Sequence, residues 1–395
     1  MTEVVNVDFA RLVLPPLSLY VHFPWCVRKC PYCDFNSHQL RSDLPEDDYV
    51  DALISDLEFS LPIIWGRPIR SVFMGGGTPS LFSYQAISRL LSAIRARVFL
   101  LPEIEVTMEA NPGVLLPEML SGYQDAGITR VSLGVQSFSA RLLKAIGRIH
   151  SVGDVEKNLS ALSRTALIYN IDLMYGLPGQ SVGDALFDLE QALSFDPHHL
   201  SLYNLTLEPG TLFGVSPPSG LPSPDVCADM QAVLCPYLAE RNYERYEVSA
   251  FSRLGYQCRH NLNYWMYGDY IGIGAGAHSK LTYQQKIIRQ ARFKWPRKFM
   301  EHAGSDGALE SNVDVLIKDR PFEFFMNALR LKDGISWSLY EERTGLSRLT
   351  VLSKVDELVD KKLMVRDAVN VRATSRGWEF LNDVLAFFLP EKETG

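Results

Sequence analysis

Six apolar, β-branched runs separated by amphipathic stretches constrain this chain more than any other feature. The runs are Ser18–Phe23, Ser71–Gly75, Ile104–Glu109, Arg130–Gln136, Ile168–Tyr175 and His199–Leu207, short and rich in branched residues as strands are. Between them apolar residues recur at helical spacing: Val50, Leu53, Ile54 and Leu57 in one stretch, Ile87, Leu90, Leu91 and Ile94 in a second, and Leu186, Leu189 and Leu193 in a third. Such alternation builds a parallel sheet, either doubly wound or curled into a barrel. His22, the glycines at 75 to 77, Glu109, Asn111, Gln136 and Gly176 fall at or just past the C-terminal ends of their strands, the end where barrel active sites are assembled. The expected fold is therefore α/β, with a partial (βα)6 TIM-type barrel as its core.

At 395 residues the chain is too long for one ordinary core and fits a barrel plus a smaller domain. Residues 1–17 read as an N-terminal segment and 18–250 as the barrel, with the Pro/Gly-dense run Gly214–Pro224 forming a long loop. Residues 251–320 read as a connecting region. From 321 to 390 the order is an amphipathic helix through Phe322, Phe325, Leu329 and Leu331, two more helical stretches, a strand pair at Leu363–Arg366 and Asn370–Ala373, and a last helix capped by Thr374 or Ser375. That order is winged-helix-like and α-rich. Between Pro321 and Phe388 ten basic residues face ten acidic ones, so the DNA-binding use of this shape lacks its electrostatic footing and an interaction or lid module is expected instead.

Cys26, Cys30 and Cys33, spaced C-x3-C-x2-C, follow the first strand directly and are half of the chain's six cysteines. No apolar run is long enough to span a membrane, and MTEVVNVDFA has no basic region followed by an apolar core. A cytoplasmic location is thus expected, with peripheral membrane contact as a further expectation. In that reducing compartment clustered thiols hold a metal or do redox chemistry. Three thiolates on one loop can hold three irons of a cubane and leave the fourth open. Zinc is the alternative, completed by His22 or His38. Pro24 and Pro31 stiffen the loop, and Trp25, Tyr32 and Phe35 are expected to shield it from water.

Each further motif carries a chemical and a plain structural reading. The Gly75-Gly76-Gly77-Thr78-Pro79 amides and the Thr78 hydroxyl would meet a charged amino-acid end, or the triplet is only a tight turn. Glu109 would accept from a ribose or an ammonium group, or cap an element. Asp172 stands among apolar neighbours and needs a partner, for which Arg148, also a candidate carboxylate clamp, is the nominee. From Lys280 to Met300 there are seven basic residues and no acidic one. That stretch reads as a patch for the carboxylates of a ligand, anionic lipid or an acidic partner, or as a solvated basic face. Cys227 and Cys235 show no metal spacing.

These motifs resemble those of radical S-adenosylmethionine (SAM) enzymes. The runs YVHFPWCVRKCPYCDF, FMGGGTPS, EANPG, LGVQSF, IDLMYGLPGQ and IGIGAGAHS are similar to the subgroup that joins the oxygen-independent coproporphyrinogen III dehydrogenases with the heme chaperones called HemW. The resemblance spans essentially the whole chain. It implies a [4Fe–4S] cluster on Cys26, Cys30 and Cys33. It also implies SAM contacts at Tyr20, Gly76, Gly77, Thr78, Glu109, Gln136, Arg148 and Asp172, and a second SAM against Tyr32. No residue is assigned a catalytic role.

Two departures separate chaperone from dehydrogenase. The dehydrogenases carry a further cysteine two residues past the third and a longer N-terminal segment, whereas position 35 here is Phe35. HNLNYW, His260 to Trp265, matches the HemW motif H-N-x-x-Y-W, which implies His260 as a heme ligand with Tyr264 and Trp265 against the macrocycle. Cys258 competes as the axial ligand, and a hydrogen-bonding corner is the plain reading of the His-Asn pair. The reading reached is a heme chaperone on a radical SAM scaffold, whose enzyme status stays open. The alternative is a coproporphyrinogen dehydrogenase that cleaves SAM with an external electron donor; an RNA-modifying radical SAM enzyme finds no basic domain. Expected partners are heme, heme-accepting apoproteins such as respiratory enzymes, and a second copy of the chain, but no nucleic acid.

Overall fold

The computed structural model describes residues 10–390. Residues 1–9, on which the reading of the N-terminus falls, and 391–395 lie outside the described residues. Strands β1 (Leu17–Phe23), β2 (Ile69–Gly76), β3 (Leu100–Ala110), β4 (Arg130–Gln136), β5 (Ile168–Tyr175) and β6 (His199–Asn204) are all parallel and stand side by side in chain order. Sequential order is that of a barrel wall, not of a doubly wound sheet.

The wall does not close. Beyond β6 lie the short antiparallel strands β7 (Glu244–Arg245) and β8 (Ala250–Ser252). Beyond β1 lies β9 (Asp269–Ile273), parallel to it, followed by the antiparallel strands β10 (His278–Tyr283), β11 (Lys286–Arg292) and β12 (Leu309–Asp314). Among the described residues these twelve strands form one sheet. Hydrogen bonding thus runs through residue 314, well into the stretch read as a connecting region.

Helices α1 (Glu46–Ile64), α2 (Tyr84–Arg97), α3 (Leu120–Ala126), α4 (Val152–Leu162) and α5 (Val182–Ser194) cover the outer face. Their starts are written in the sequence. Ser151 and Ser181 each accept from an amide three residues on, and Asp154 and Asp184 return the bond to the cap backbone, the reciprocal arrangement that satisfies two otherwise orphaned N–H groups. Leu53, Leu57, Ile87, Leu91, Leu159 and Leu189 are buried against the strands.

The C-terminal domain has its own core, including Phe324, Phe325, Tyr340, Val355 and Phe388. It runs α6 (Arg320–Ala328), α7 (Trp337–Thr344) and α8 (Leu349–Asp360), with a three-stranded sheet of Ile335–Ser336, Met364–Arg366 and Asn370–Ala373. Thr374 caps the helix Ser375–Glu379 by accepting from Gly377 N–H. A third, small cluster of Leu142, Ile146, Met174, Leu177 and Phe213 lies beneath the cysteine loop.

Candidate functional site

The cysteine loop leaves the C-terminal end of β1, where Trp25–Cys26 pairs in parallel with His38–Gln39. Cys33 N–H donates to the Cys30 carbonyl at 3.2 Å and closes the turn. The glycine run at the end of β2 is the seat of this loop: Gly77 N–H donates to Phe23 O at 2.6 Å and Thr78 N–H to Trp25 O at 2.8 Å. A β-carbon on Gly77 would stand 2.5 Å from the Trp25 carbonyl oxygen, and one on Gly76, at φ +107°, 2.4 Å from the His22 ring. Gly76 N–H in turn donates to Glu109 Oε2 at 3.1 Å. The amides expected to greet a ligand's amino-acid end are therefore spent inside the protein.

Cys26, Cys30 and Cys33 are half-buried free thiols, each with a polar neighbour. Thr78 Oγ1 donates to Cys26 Sγ at 3.4 Å, Arg148 Nη1 to Cys30 Sγ at 3.7 Å, and Ser37 Oγ lies 4.0 Å from Cys33 Sγ. Burial raises the Cys26 and Cys33 thiols above their usual range, so their thiolates need the positive charge that metal ligation supplies. Hydrogen bonds to sulfur and limited solvent are what tune an iron–sulfur centre.

The histidines offered to zinc are engaged elsewhere: His22 Nε2 with Asn36 O at 2.8 Å and His38 Nε2 with Lys294 O at 3.1 Å. Among the described residues no three or more His, Cys, Asp or Glu side chains converge on a position for a single ion. Trp25 is buried against Tyr49, and Tyr32 and Phe35 line the cavity beside the cysteines, Phe35 with 56% of its surface still exposed.

Behind the thiols the concave face of the barrel encloses a cavity of about 340 Å³. Tyr32, Gly76, Gly77, Glu109, Gln136, Arg148 and Asp172 line it with the three cysteines. Gln136 reaches it because β4 shifts register between Leu133 and Gln136 and the residue adopts φ +70°, a bulge that re-aims the side chain. Thr78 is buried beside the cavity, accepting from Asn111 Nδ2 at 2.9 Å. Tyr20 is bonded to His22 Nδ1 at 3.0 Å and does not line the cavity.

Asp172 and Arg148 are not partners. Asp172 accepts from Ser132 Oγ at 3.0 Å and Asn170 Nδ2 at 2.7 Å, whereas Arg148 Nη2 donates to Asn111 Oδ1 at 2.5 Å and Gly134 O at 2.7 Å. Burial pushes Glu109 up to about 7, with the Asp172 charge adding to the effect, and burial raises Asp172 too. Two carboxylates held in a low-dielectric cavity favour a cationic ligand. Arg148 Nε is buried with no hydrogen-bond partner, as is Thr107 Oγ1 on the same wall. Such orphaned groups, rare in folded proteins, fit a polar ligand of this cavity.

The floor was missed by the sequence reading: Arg130, Ser132, Asn170, His199 and Ser201 line it. Their signal was present, since β4 to β6 place polar side chains at alternating positions inside otherwise apolar strands.

HNLNYW lies in the short helix α9 (Arg259–Trp265). It lies under the opposite, N-terminal end of the strands. Glu105 accepts from the N–H groups of Arg259 (3.2 Å) and His260 (3.0 Å) and so caps it. His260 is fully buried, with Nδ1 on Ser71 Oγ at 3.0 Å and Nε2 on Tyr264 Oη at 2.9 Å. Burial lowers its pKa to about 3, and it does not line the cavity. Cys258 does, 3.5 Å from Glu105 Oε1.

The basic stretch is a correction. Lys280 and Arg292 are buried in ion pairs with Asp269 (3.0 Å) and Asp56 (3.1 Å), and Arg289 pairs with Glu323 at 2.7 Å and Lys286 with Asp314 at 2.6 Å. These four cations are strand residues neutralised by acids elsewhere in the fold; of the other three, Lys294 precedes the helix Pro296–His302 and Arg297 and Lys298 lie on it, Arg297 pairing with Glu301.

Comparison with known proteins accords with this architecture. Residues 20–191 match the radical SAM superfamily and 317–380 the HemN C-terminal domain. Heme chaperone HemW of Escherichia coli is 46% identical, covering 96% of this chain and 99% of that protein. Heme chaperone HemW of Lactococcus lactis is 36% identical, covering 95% of this chain and 97% of that protein. A mouse protein, radical S-adenosyl methionine domain-containing protein 1, mitochondrial, is 34% identical, covering 95% and 87%. The solved structure of coproporphyrinogen III oxidase (HemN) from Escherichia coli superposes with a TM-score of 0.80 at 24% identity, covering 96% of this chain and 91% of that one, and shows the shared fold.

Proposed function

Since the chain belongs to the HemW family of heme chaperones within the radical SAM superfamily, we propose that it binds a [4Fe–4S] cluster, SAM and heme, and passes heme to acceptor proteins. Cys26, Cys30 and Cys33 would hold the cluster, which when bound supplies an open iron and a low-potential electron. This chain's own residues set the conditions. Thr78 and Arg148 donate to the sulfurs, and Glu109 and Asp172 present negative charge to a sulfonium or ammonium group. Arg148 keeps a free Nε for a carboxylate. Heme ligation by His260 would require the ring to leave Ser71 or Tyr264.

The observation that carries the chaperone reading is full-length family membership, supported by Phe35 where the dehydrogenases place another cysteine. A cytoplasmic site of action goes with it. No helix among the described residues is long and apolar enough to cross a membrane, and four of the seven cations of the basic stretch are already held by acids of the fold.

The test is anaerobic. Reconstituted protein should contain iron and sulfide, bind SAM, and give a heme spectrum on titration with heme. With coproporphyrinogen, SAM and a reductant it should form no protoporphyrinogen. Protoporphyrinogen formation would make the oxidoreductase the better reading, and one tight zinc with no iron would end both.

A further inference from the structure

A second hollow lies at the other end of the barrel. A groove of about 590 Å³ runs between the N-terminal ends of β1, β2 and β3 and the outer face of α9, within the roughly 300–1,000 Å³ of ordinary ligand pockets. From α9 and its C-cap it takes Arg259, Leu262, Asn263 and Met266, which at i, i+3, i+4 and i+7 form one stripe. Leu101 and Pro102 form the facing wall, and Arg70 and Glu103 stand at its edges.

The charges are arranged for a carboxylate-bearing guest. Arg70 is exposed and has no hydrogen-bond or ion-pair partner among the described residues. Arg259 is fixed by donation from Nη1 to the Glu103 carbonyl at 2.8 Å. A groove with apolar walls of Leu101, Pro102, Leu262 and Met266, and with Arg70 and Arg259 outnumbering Glu103 beside them, complements a large apolar macrocycle that carries carboxylates along one edge.

The geometry points to this groove as the seat of heme, with its propionates on Arg70 and Arg259 and its face against Leu262 and the Met266 thioether. The inference rests on the heme-binding reading above and departs from it in place and ligands. It also gives the HNLNYW helix a purpose its histidine lacks. His260 and Tyr264 bond to each other and, through Ser71, to the strands, holding the helix while its other face builds the wall. The cluster and nucleoside would then occupy the mouth and heme the opposite end.

Full-length protein with reconstituted cluster is titrated with heme, following the Soret band, as wild type, Arg70→Glu and Met266→Lys. Both substituted positions are exposed, and neither touches the thiol loop. Arg70→Glu should weaken heme binding roughly ten-fold or more, as loss of one charge-assisted contact does, and Met266→Lys should weaken it and alter the Soret band. Iron and sulfide content and SAM affinity should stay at wild-type values. Wild-type heme affinity in both variants would overturn the groove while leaving heme binding intact. A wild-type protein that binds no heme would instead remove the functional reading, and this inference with it.

Discussion

Glu109 shows how a single carboxylate couples the cavity to solution conditions. Its pKa in the fold, about 7, lies above the ordinary 4.5. Its contribution to stability is therefore fully present below about pH 4.5 and is lost as pH rises through 7. His22, His150 and His260 run the other way. Burial lowers them to about 4, 4 and 3 from 6.5, so they favour the fold above pH 6.5 and withdraw that support on acidification. The difference between wild type and Glu109→Gln isolates the first effect: in ligand-free protein the melting temperature of wild type should decline relative to the Gln variant between pH 4.5 and 7. Parallel melting curves across that range would refute it. Gly77 makes a second residue-scale prediction. The β-carbon of Gly77→Ala, aimed at the Trp25 and Phe23 carbonyls, should cost about 1–3 kcal/mol by overpacking and lower the iron retained per chain, both readable by calorimetry and iron assay.

Strands and helices were legible, their chemistry less so. β4 and β5 fall on the expected residues because branched apolar runs bounded by Gly, Asn and Pro leave little choice of state. The cations of β10 and β11 misled because sequence neighbours on a strand point to opposite faces, and their acids come from α1, β9, β12 and α6. Likewise the sequence demanded a partner for Asp172 without saying which, and Ser132 and Asn170 on neighbouring positions of the sheet met the need before Arg148 could. The pair Asp56–Arg292, both buried and joined by Ser60 and the Gly274 amide, ties α1 to β11. Arg292→Met alone should cost about 3–5 kcal/mol because it strands a buried carboxylate, and adding Asp56→Leu should recover most of that. Urea denaturation of Arg292→Met, Asp56→Leu and the double variant checks it, and additive losses would count against a coupled pair.

At the scale of the whole chain, the winged-helix-like domain is fastened to the barrel by a core it shares with Tyr267 and Ile287 and by polar contacts. Glu323 on α6 accepts from Arg289 and, at 2.8 Å, from Tyr267 Oη, and Arg330 meets Glu247 at 3.0 Å. Hydrogen bonds to charged groups are worth roughly 1.5–3 kcal/mol each. Glu323→Ala should therefore speed amide exchange across residues 320–388 while leaving β1 to β6 protected; uniform exchange throughout would show the attachment lies elsewhere. The order of manufacture is set by another long-range tie. Asn36, three residues beyond the last cluster thiol, is held by the carbonyls of Ala275 and Lys294, and β1 leans on β9. The sulfurs leave the ribosome early, but their housing is finished only when Lys294 has emerged, on the order of tens of seconds later at ordinary rates of synthesis. Until then a nascent chain carries three unsheltered thiols, so iron loading belongs after translation and oxygen is most damaging during it.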